Sequence, residues 1–110
     1  WGVIKLDCTI GNTTGWLNYI GTTASLNGTS TTVRGYPGDK AFGTMWSMTG
    51  PIESTQAEKV FYKMDTYGGQ SGAPVYNNSN TIVAIHTNGG SSNSGTRITP
   101  TLANYLTSVK

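Results

Sequence analysis

A serine between glycines, followed by the chain's single histidine, is the feature of this sequence with the clearest chemical potential. Ser71 lies in the stretch DTYGGQSGAP, residues 65–74, and His86 lies in AIHTNGG, residues 84–90. Glycines permit positive φ, so successive backbone N–H groups in such a loop can converge on one point. The amides of Gly69 and Ser71 could then stabilise an oxyanion beside the serine hydroxyl. The pattern favours acyl transfer, although glycine-rich turns that contain serine are also common without any chemistry.

His86 is a poor candidate for the base that would activate Ser71. A serine that precedes its histidine occurs in α/β-hydrolases, but there it stands in a G-x-S-x-G motif between a strand and a helix. Here Ala73 replaces the second glycine, and we expect a strand to follow the loop. A lone histidine on an apolar strand is more often a buried, hydrogen-bonded residue or one that faces a binding pocket.

The elements that must position these residues are short strands. The chain has 110 residues with 15 glycines, and its apolar runs recur at roughly 10-residue intervals between turn signals. This spacing predicts one all-β domain, either a barrel or a sandwich. Turns are expected at GNTTG, SLNGTS, YPGDK and GPIES. The predicted strands are residues 3–7, 16–20, 31–35, 44–49, 59–65, 73–76, 81–87 and 95–99.

The last segment changes period, because apolar residues recur at i, i+3, i+4 and i+7 from Leu102 to Val109. Thr99 is placed to cap the N-terminus of a helix, and Pro100 suits its first position. We therefore expect six or more antiparallel strands closed by a short amphipathic helix at about residues 100–110.

Composition excludes several classes of protein. Charged residues make up 11% of the chain, which is not the signature of disorder, and the net charge of +2 is scattered. Nothing in it predicts binding to nucleic acid or to a membrane. The polar, charge-poor surface favours secretion. Cys8 stands alone, and we expect either a small buried thiol or a thiol whose partner lies on another segment.

Six motifs follow one another along the chain: GYPGDK, GTMWS, GPI, DTYGGQSGAPV, AIHTNGG and GTRIT. In this order and spacing they resemble the C-terminal half of a chymotrypsin-fold serine protease of the glutamyl endopeptidase (V8-like) family of Gram-positive bacteria. The form MDTYGGQSG is similar to the Bacillus-type branch of that family. The resemblance covers essentially all of residues 1–110. It implies the second, six-stranded antiparallel barrel of a two-barrel fold, followed by the short C-terminal helix.

The resemblance also implies roles for individual residues. Ser71 matches the acylated nucleophile, and Gly69 with Ser71 matches the oxyanion donors. Thr66 and His86 match residues that bind the carboxylate of the substrate's P1 glutamate. The strand edge that pairs with substrate backbone matches Thr87, Asn88 and Gly89.

The triad histidine and aspartate are expected on a preceding N-terminal barrel, which this chain does not contain. In the family the aspartate stands just before the residue that matches Trp1. The chain would therefore start at Trp1 either because an Asp–Trp bond is cleaved or because the upstream segment is not included. The implied partners are that barrel and a peptide or protein substrate, without a cofactor or metal, in a secreted bacterial enzyme.

Specificity and activity each leave an alternative open. Asp65 lies six residues before Ser71, where trypsin-like proteases carry the acid that selects Lys or Arg. His86 and Thr66 argue for an acidic P1 residue instead, because a carboxylate in a partly desolvated pocket needs hydroxyl and imidazole donors. Protonated His86 would serve best. An inactive pseudoprotease or binding module also remains open, because the residues that would decide it are absent from the chain.

Overall fold

The structure, a computed structural model, describes residues 1–64, 70–89 and 92–110. These ranges contain seven strands and two helices. In chain order they are α1 (Gly11–Thr14), β1 (Asn18–Tyr19), β2 (Ser30–Gly35), β3 (Trp46–Thr55), β4 (Lys59–Tyr62), β5 (Pro74–Asn77), β6 (Thr81–Asn88), β7 (Asn93–Arg97) and α2 (Pro100–Val109).

Six of the strands close into an antiparallel barrel. Their order is β6-β5-β2-β3-β4-β7, and β7 pairs back onto β6 to complete the ring. The short strand β1 adds to β6 in parallel, a pairing that the sequence pattern did not predict. Closure leaves none of these six strands as a free edge. The predicted all-β class, the six-stranded antiparallel barrel and the C-terminal helix are confirmed.

The barrel core is built by alternation along the strands. In β2, Thr31, Val33 and Gly35 are buried, whereas the residues between them are partly or fully exposed. β-Branched residues suit such a half-buried pleated surface. The buried cluster consists of Val33, Ile52, Val60, Tyr62, Met64, Ala73, Val75, Val83 and Ala84.

Helix α2 follows the predicted capping pattern. The Thr99 side chain accepts a hydrogen bond from the Leu102 N–H at 3.2 Å, and Pro100 occupies the first turn. Leu102 is buried, whereas Tyr105 is exposed. None of the helices found in residues 1–64, 70–89 and 92–110 has the length and apolar character to cross a bilayer.

The predicted strand at residues 3–7 is wrong. This segment has no strand partner among the described residues, and the Ile4 side chain is 88% exposed. A β-prone run forms a ladder only where a neighbouring strand supplies hydrogen bonds. Cys8 is also exposed, so the expectation of a buried thiol is wrong.

The turn predicted at residues 50–54 is wrong as well, because these residues continue β3. Ile52 is 1% exposed, and its N–H donates to the Thr29 carbonyl at 2.9 Å. Burial of this side chain holds the strand together across Gly50 and Pro51. The pairing of β3 with β4 is irregular at one point, where a β-bulge lies between Ile52 and Ser54.

Candidate active site

Ser71 stands at the tip of a tight turn between the undescribed residues 65–69 and β5. The turn spans residues 70–73 and is closed by a hydrogen bond of 2.9 Å from the Ala73 N–H to the Gln70 carbonyl. Gly72 occupies its third position with φ +89°. A positive φ at this position is what a type II turn requires, and glycine adopts it without steric cost. The Ser71 side chain is exposed as a result.

The turn is fixed to β6 through the main chain of His86. The Gly72 N–H donates to the His86 carbonyl at 2.8 Å, and the His86 N–H donates to the Ala73 carbonyl at 2.9 Å. These two bonds extend the pairing of β5 with β6 up to the serine. The position of Ser71 therefore depends on the barrel wall rather than on a free loop.

The side chain of His86 is buried and hydrogen-bonded. It is 2% exposed, and its Nδ1 lies 2.5 Å from the hydroxyl of Tyr62, which is fully buried. Burial lowers the pKa of His86 below its ordinary value and raises the pKa of Tyr62 well above its own. In the folded chain both groups are therefore neutral around pH 7.

A cavity of about 360 Å³ brings Ser71 and His86 together. The Ser71 Oγ donates a long hydrogen bond of 3.3 Å to the Thr87 carbonyl at the edge of this cavity. The turn that carries Ser71 and the last residues of β6 thus lie around one small space. The lining residues are Trp1, Gly2, Ser71, Gly72, Ile85, His86, Thr87 and Thr96.

Some of the predicted site residues lie around one cavity in the structure, and others do not. Ser71, His86 and Thr87 line the same cavity. Asn88 is the last residue of β6, and Gly89 follows it; both are exposed. The other predicted site residues, together with the acid of the trypsin-like alternative, lie outside the described residues: Thr66, Gly69 and Asp65.

Within the described ranges, the Ser71 hydroxyl makes its hydrogen bond to Thr87 and not to the imidazole of His86. Nδ1 of His86 is already bonded to Tyr62. That His86 does not act as the base for the serine stays a prediction, because Nε2 is the nitrogen that faces the serine in catalytic triads.

Sequence reasoning missed Tyr62 and Gly95. Tyr62 follows Val60 by two residues in KVFYKMD, so period-2 alternation places both on the inner face of β4. An inward tyrosine needs a hydrogen-bond partner for its hydroxyl, and this signal could have pointed to it. Gly95 pairs with His86 across β6 and β7, and no pattern in the sequence indicates that register.

A second, larger cavity of about 880 Å³ lies beside the N-terminus of α2 and includes neither Ser71 nor His86. Its walls include Arg97 and Thr99. In residues 1–64, 70–89 and 92–110, no three His, Cys, Asp or Glu side chains are grouped so that they could hold a metal ion.

Comparison with known proteins relates the chain to bacterial peptidases by sequence. It is 48% identical over 122 aligned residues to "Glutamyl endopeptidase" of Bacillus licheniformis, covering 100% of this chain and 39% of the relative. It is 53% identical over 112 residues to a Bacillus subtilis protein named "Extracellular metalloprotease", covering 96% of this chain and 36% of that protein. The chain thus spans less than two thirds of the length of these relatives. No protein-family model matches it.

A solved structure described as Glu endopeptidase in complex with MPD shares the fold. The TM-score is 0.87 at 31% sequence identity, over 94% of this chain and 51% of the other. A glutamyl endopeptidase of Staphylococcus aureus is 47% identical over 58 residues, covering 53% of this chain. Sequence and fold agree that the chain is homologous to the C-terminal region of the glutamyl endopeptidases of Bacillus and Staphylococcus and has the chymotrypsin-like fold.

Proposed function

We propose that this chain is the nucleophile-bearing half of a secreted serine endopeptidase that cleaves peptide bonds after glutamate. The observation that carries the proposal is the turn at residues 70–73, which holds Ser71 beside His86 in one cavity. Homology to glutamyl endopeptidases supports the same reaction. The partner is an N-terminal barrel with the triad histidine and aspartate, and we call the combined protein the two-barrel protease.

In the proposed reaction, the Ser71 Oγ attacks the carbonyl carbon after the P1 residue, and its proton passes to the histidine of the first barrel. The N–H groups of Gly69 and Ser71 stabilise the oxyanion. The C–N bond breaks, the amine leaves with that proton, and water then hydrolyses the ester on Ser71. Trp1 and Gly2 line the cavity with Ser71, and the family resemblance assigns the triad aspartate to the position just before Trp1, which would lie in the same region.

Selection of glutamate is assigned to His86 and Thr66, and backbone pairing with substrate to residues 87–89. Burial keeps His86 neutral near pH 7 in the absence of substrate, so its protonated form is not the resting state. Neutral imidazole still offers one N–H donor. A bound carboxylate raises the pKa of a neighbouring imidazole and so favours its protonation in the complex.

The test is labelling of the two-barrel protease with a fluorophosphonate, together with kcat/KM on matched peptides with Glu, Asp, Lys or Gln at P1. We expect one label per molecule on Ser71, none in Ser71→Ala, and preference for Glu. Folded protein that resists labelling would contradict the serine mechanism and indicate an inactive homologue. Preference for Lys would instead assign specificity to Asp65.

The name of the Bacillus subtilis relative makes a chelator the natural control. We expect activity to persist in excess EDTA after calcium-dependent stability has been checked by thermal unfolding. Loss of activity without unfolding, restored by a transition metal, would contradict the proposal.

A further inference from the structure

Tyr62 lies behind His86, on the barrel wall, and outside the residues that the proposed reaction uses. It belongs to β4 and His86 to β6, and β7 runs between these strands. The rings approach with centroids 5.7 Å apart at an angle of 43°. The hydroxyl of Tyr62 reaches Nδ1 of His86 at 2.5 Å. The hydrogen bond between Tyr62 and His86 therefore spans the width of β7.

Gly95 makes this crossing possible. It pairs with Val60 on β4 and with His86 on β6. A Cβ atom at this position would lie 3.2 Å from the Tyr62 hydroxyl and 2.8 Å from the Ile85 carbonyl. Any side chain here would enter the space in which the two rings meet. The register of the three strands thus places Gly95 directly beside the hydrogen bond between Tyr62 and His86.

The direction of this hydrogen bond decides where His86 carries its proton. A neutral imidazole has one N–H donor and one acceptor nitrogen. Among the described residues, Nδ1 of His86 is the partner of the Tyr62 hydroxyl, and a buried hydroxyl needs an acceptor for its proton. Nδ1 therefore accepts, and the imidazole proton lies on Nε2.

We propose that Tyr62 is a positioning residue, which holds the ring of His86 and fixes its Nε2–H tautomer so that this N–H donates to the substrate's P1 carboxylate. The inference rests on the proposed glutamate specificity. It assigns to Tyr62 a part in selecting substrate and none in the chemistry at Ser71. The Ser71 turn is held by the main chain of His86, not by its ring.

Tyr62→Phe tests this directly, because it removes the hydroxyl and retains the ring that fills the core. One hydrogen bond contributes about 1 kcal/mol, so we expect kcat/KM on a Glu peptide to fall about five- to tenfold. For the matched Gln peptide and for the rate of fluorophosphonate labelling, we expect less than a twofold change. A structural role alone would lower all three together or none.

Tyr19→Phe is the matched control. The Tyr19 hydroxyl is also hydrogen-bonded, to Oγ1 of Thr107 at 2.7 Å, but it lies on β1 at the protein surface. We expect this variant to retain the full preference for Glu over Gln. Equal loss of preference in both variants would overturn the assignment to Tyr62.

The tautomer of His86 can also be measured by NMR spectroscopy, which does not depend on the activity of the enzyme. In the 15N-labelled two-barrel protease at alkaline pH, His86 should show a protonated Nε2 and an unprotonated Nδ1, with its signals assigned by their loss in His86→Gln. A proton on Nδ1 in the wild type would overturn the proposal, even if Tyr62→Phe failed to fold. In a folded Tyr62→Phe variant the two tautomers should be mixed.

The two proposals fail in different ways. If wild-type protease does not prefer Glu, or if His86→Gln retains that preference, the proposed function is wrong. If the wild type prefers Glu and His86→Gln loses that preference, the proposed function stands. If Tyr62→Phe then keeps both the preference and the Nε2–H tautomer, only the role proposed for Tyr62 is wrong.

Discussion

The main chains of Gly72 and His86 are joined by a hydrogen bond of 2.8 Å. Through it, the turn that presents Ser71 is part of the barrel wall, while the imidazole of His86 extends to Tyr62 on the other side. One residue of β6 therefore makes two separate contacts, one through its main chain and one through its side chain. Substitutions can address them separately.

Replacing Gly72 by alanine should disturb the position of Ser71. Gly72 has φ +89°, and an L-residue in this region costs about 1–2 kcal/mol. If the turn relaxes to avoid this strain, the Ser71 hydroxyl moves. Because a shift of about 1 Å can reduce a rate about a hundredfold, we expect fluorophosphonate labelling to slow at least tenfold, measured by stopped samples and mass spectrometry.

Gly28→Ala is the control for this substitution. Gly28 has φ +80°, and a Cβ there would contact nothing within 4 Å. It precedes β2, away from the cavity. We expect a similar loss of stability, about 1–2 kcal/mol, with an unchanged labelling rate. Slowed labelling in both variants would show that general destabilisation, and not the turn, is responsible.

The burial of His86 should make stability depend on pH in a defined direction. Because burial lowers its pKa in the folded state, the unfolded state binds more protons as the pH falls below about 6.5, the ordinary pKa of histidine. The contribution of neutral His86 to the free energy of unfolding is therefore complete above about pH 6.5. It is lost as the pH falls towards the pKa of His86 in the folded state. Tyr62 is the titratable group that contacts His86 within the described residues, and it stays neutral in this range.

The measurement is the Tm of the wild type and of His86→Gln between pH 4 and pH 8. The difference between the two Tm curves isolates His86 from other titrating groups. We expect the wild type to lose stability below pH 6.5 more steeply than the variant. Parallel curves would show that burial does not shift this pKa.

Much of the fold follows from local patterns in the sequence. The helix α2 was predictable because its cap, its proline and its apolar period agree. The strand at residues 3–7 was mispredicted, since composition cannot show whether a neighbouring strand is present. Ser71 and His86 were identified from residue type and spacing. Tyr62 and Gly95 were not, because their contact depends on the register of three strands, which no local pattern encodes.

Alanine at Gly95 should destabilise the barrel and separate Tyr62 from His86. The added Cβ would lie 2.8 Å from the Ile85 carbonyl, which is main chain and cannot easily move. Overpacking of this kind costs about 1–3 kcal/mol. Gly11→Ala is the control, since its Cβ would make only an ordinary contact with Trp16 at 3.6 Å. We expect a lower midpoint of urea unfolding for Gly95→Ala and not for Gly11→Ala; equal midpoints would contradict the predicted clash.

Removing the guanidinium of Arg97 should loosen two loops at once. Arg97 is 4% exposed, and it donates to the carbonyl of Gln56 at 3.0 Å and to that of Ala24. Arg97→Met preserves most of the apolar volume but leaves both carbonyls without this donor, at a cost of about 1–3 kcal/mol for a buried unsatisfied group.

The control for Arg97 is Arg34→Met, because Arg34 is exposed on β2. Surface substitutions of this kind change stability by about 0.5 kcal/mol or less. Urea unfolding should therefore separate the two variants, and hydrogen exchange should speed up in Arg97→Met at the loops around Ala24 and Gln56. If both variants unfold like the wild type, the buried guanidinium does not stabilise the fold, because solvent then satisfies the two carbonyls equally well.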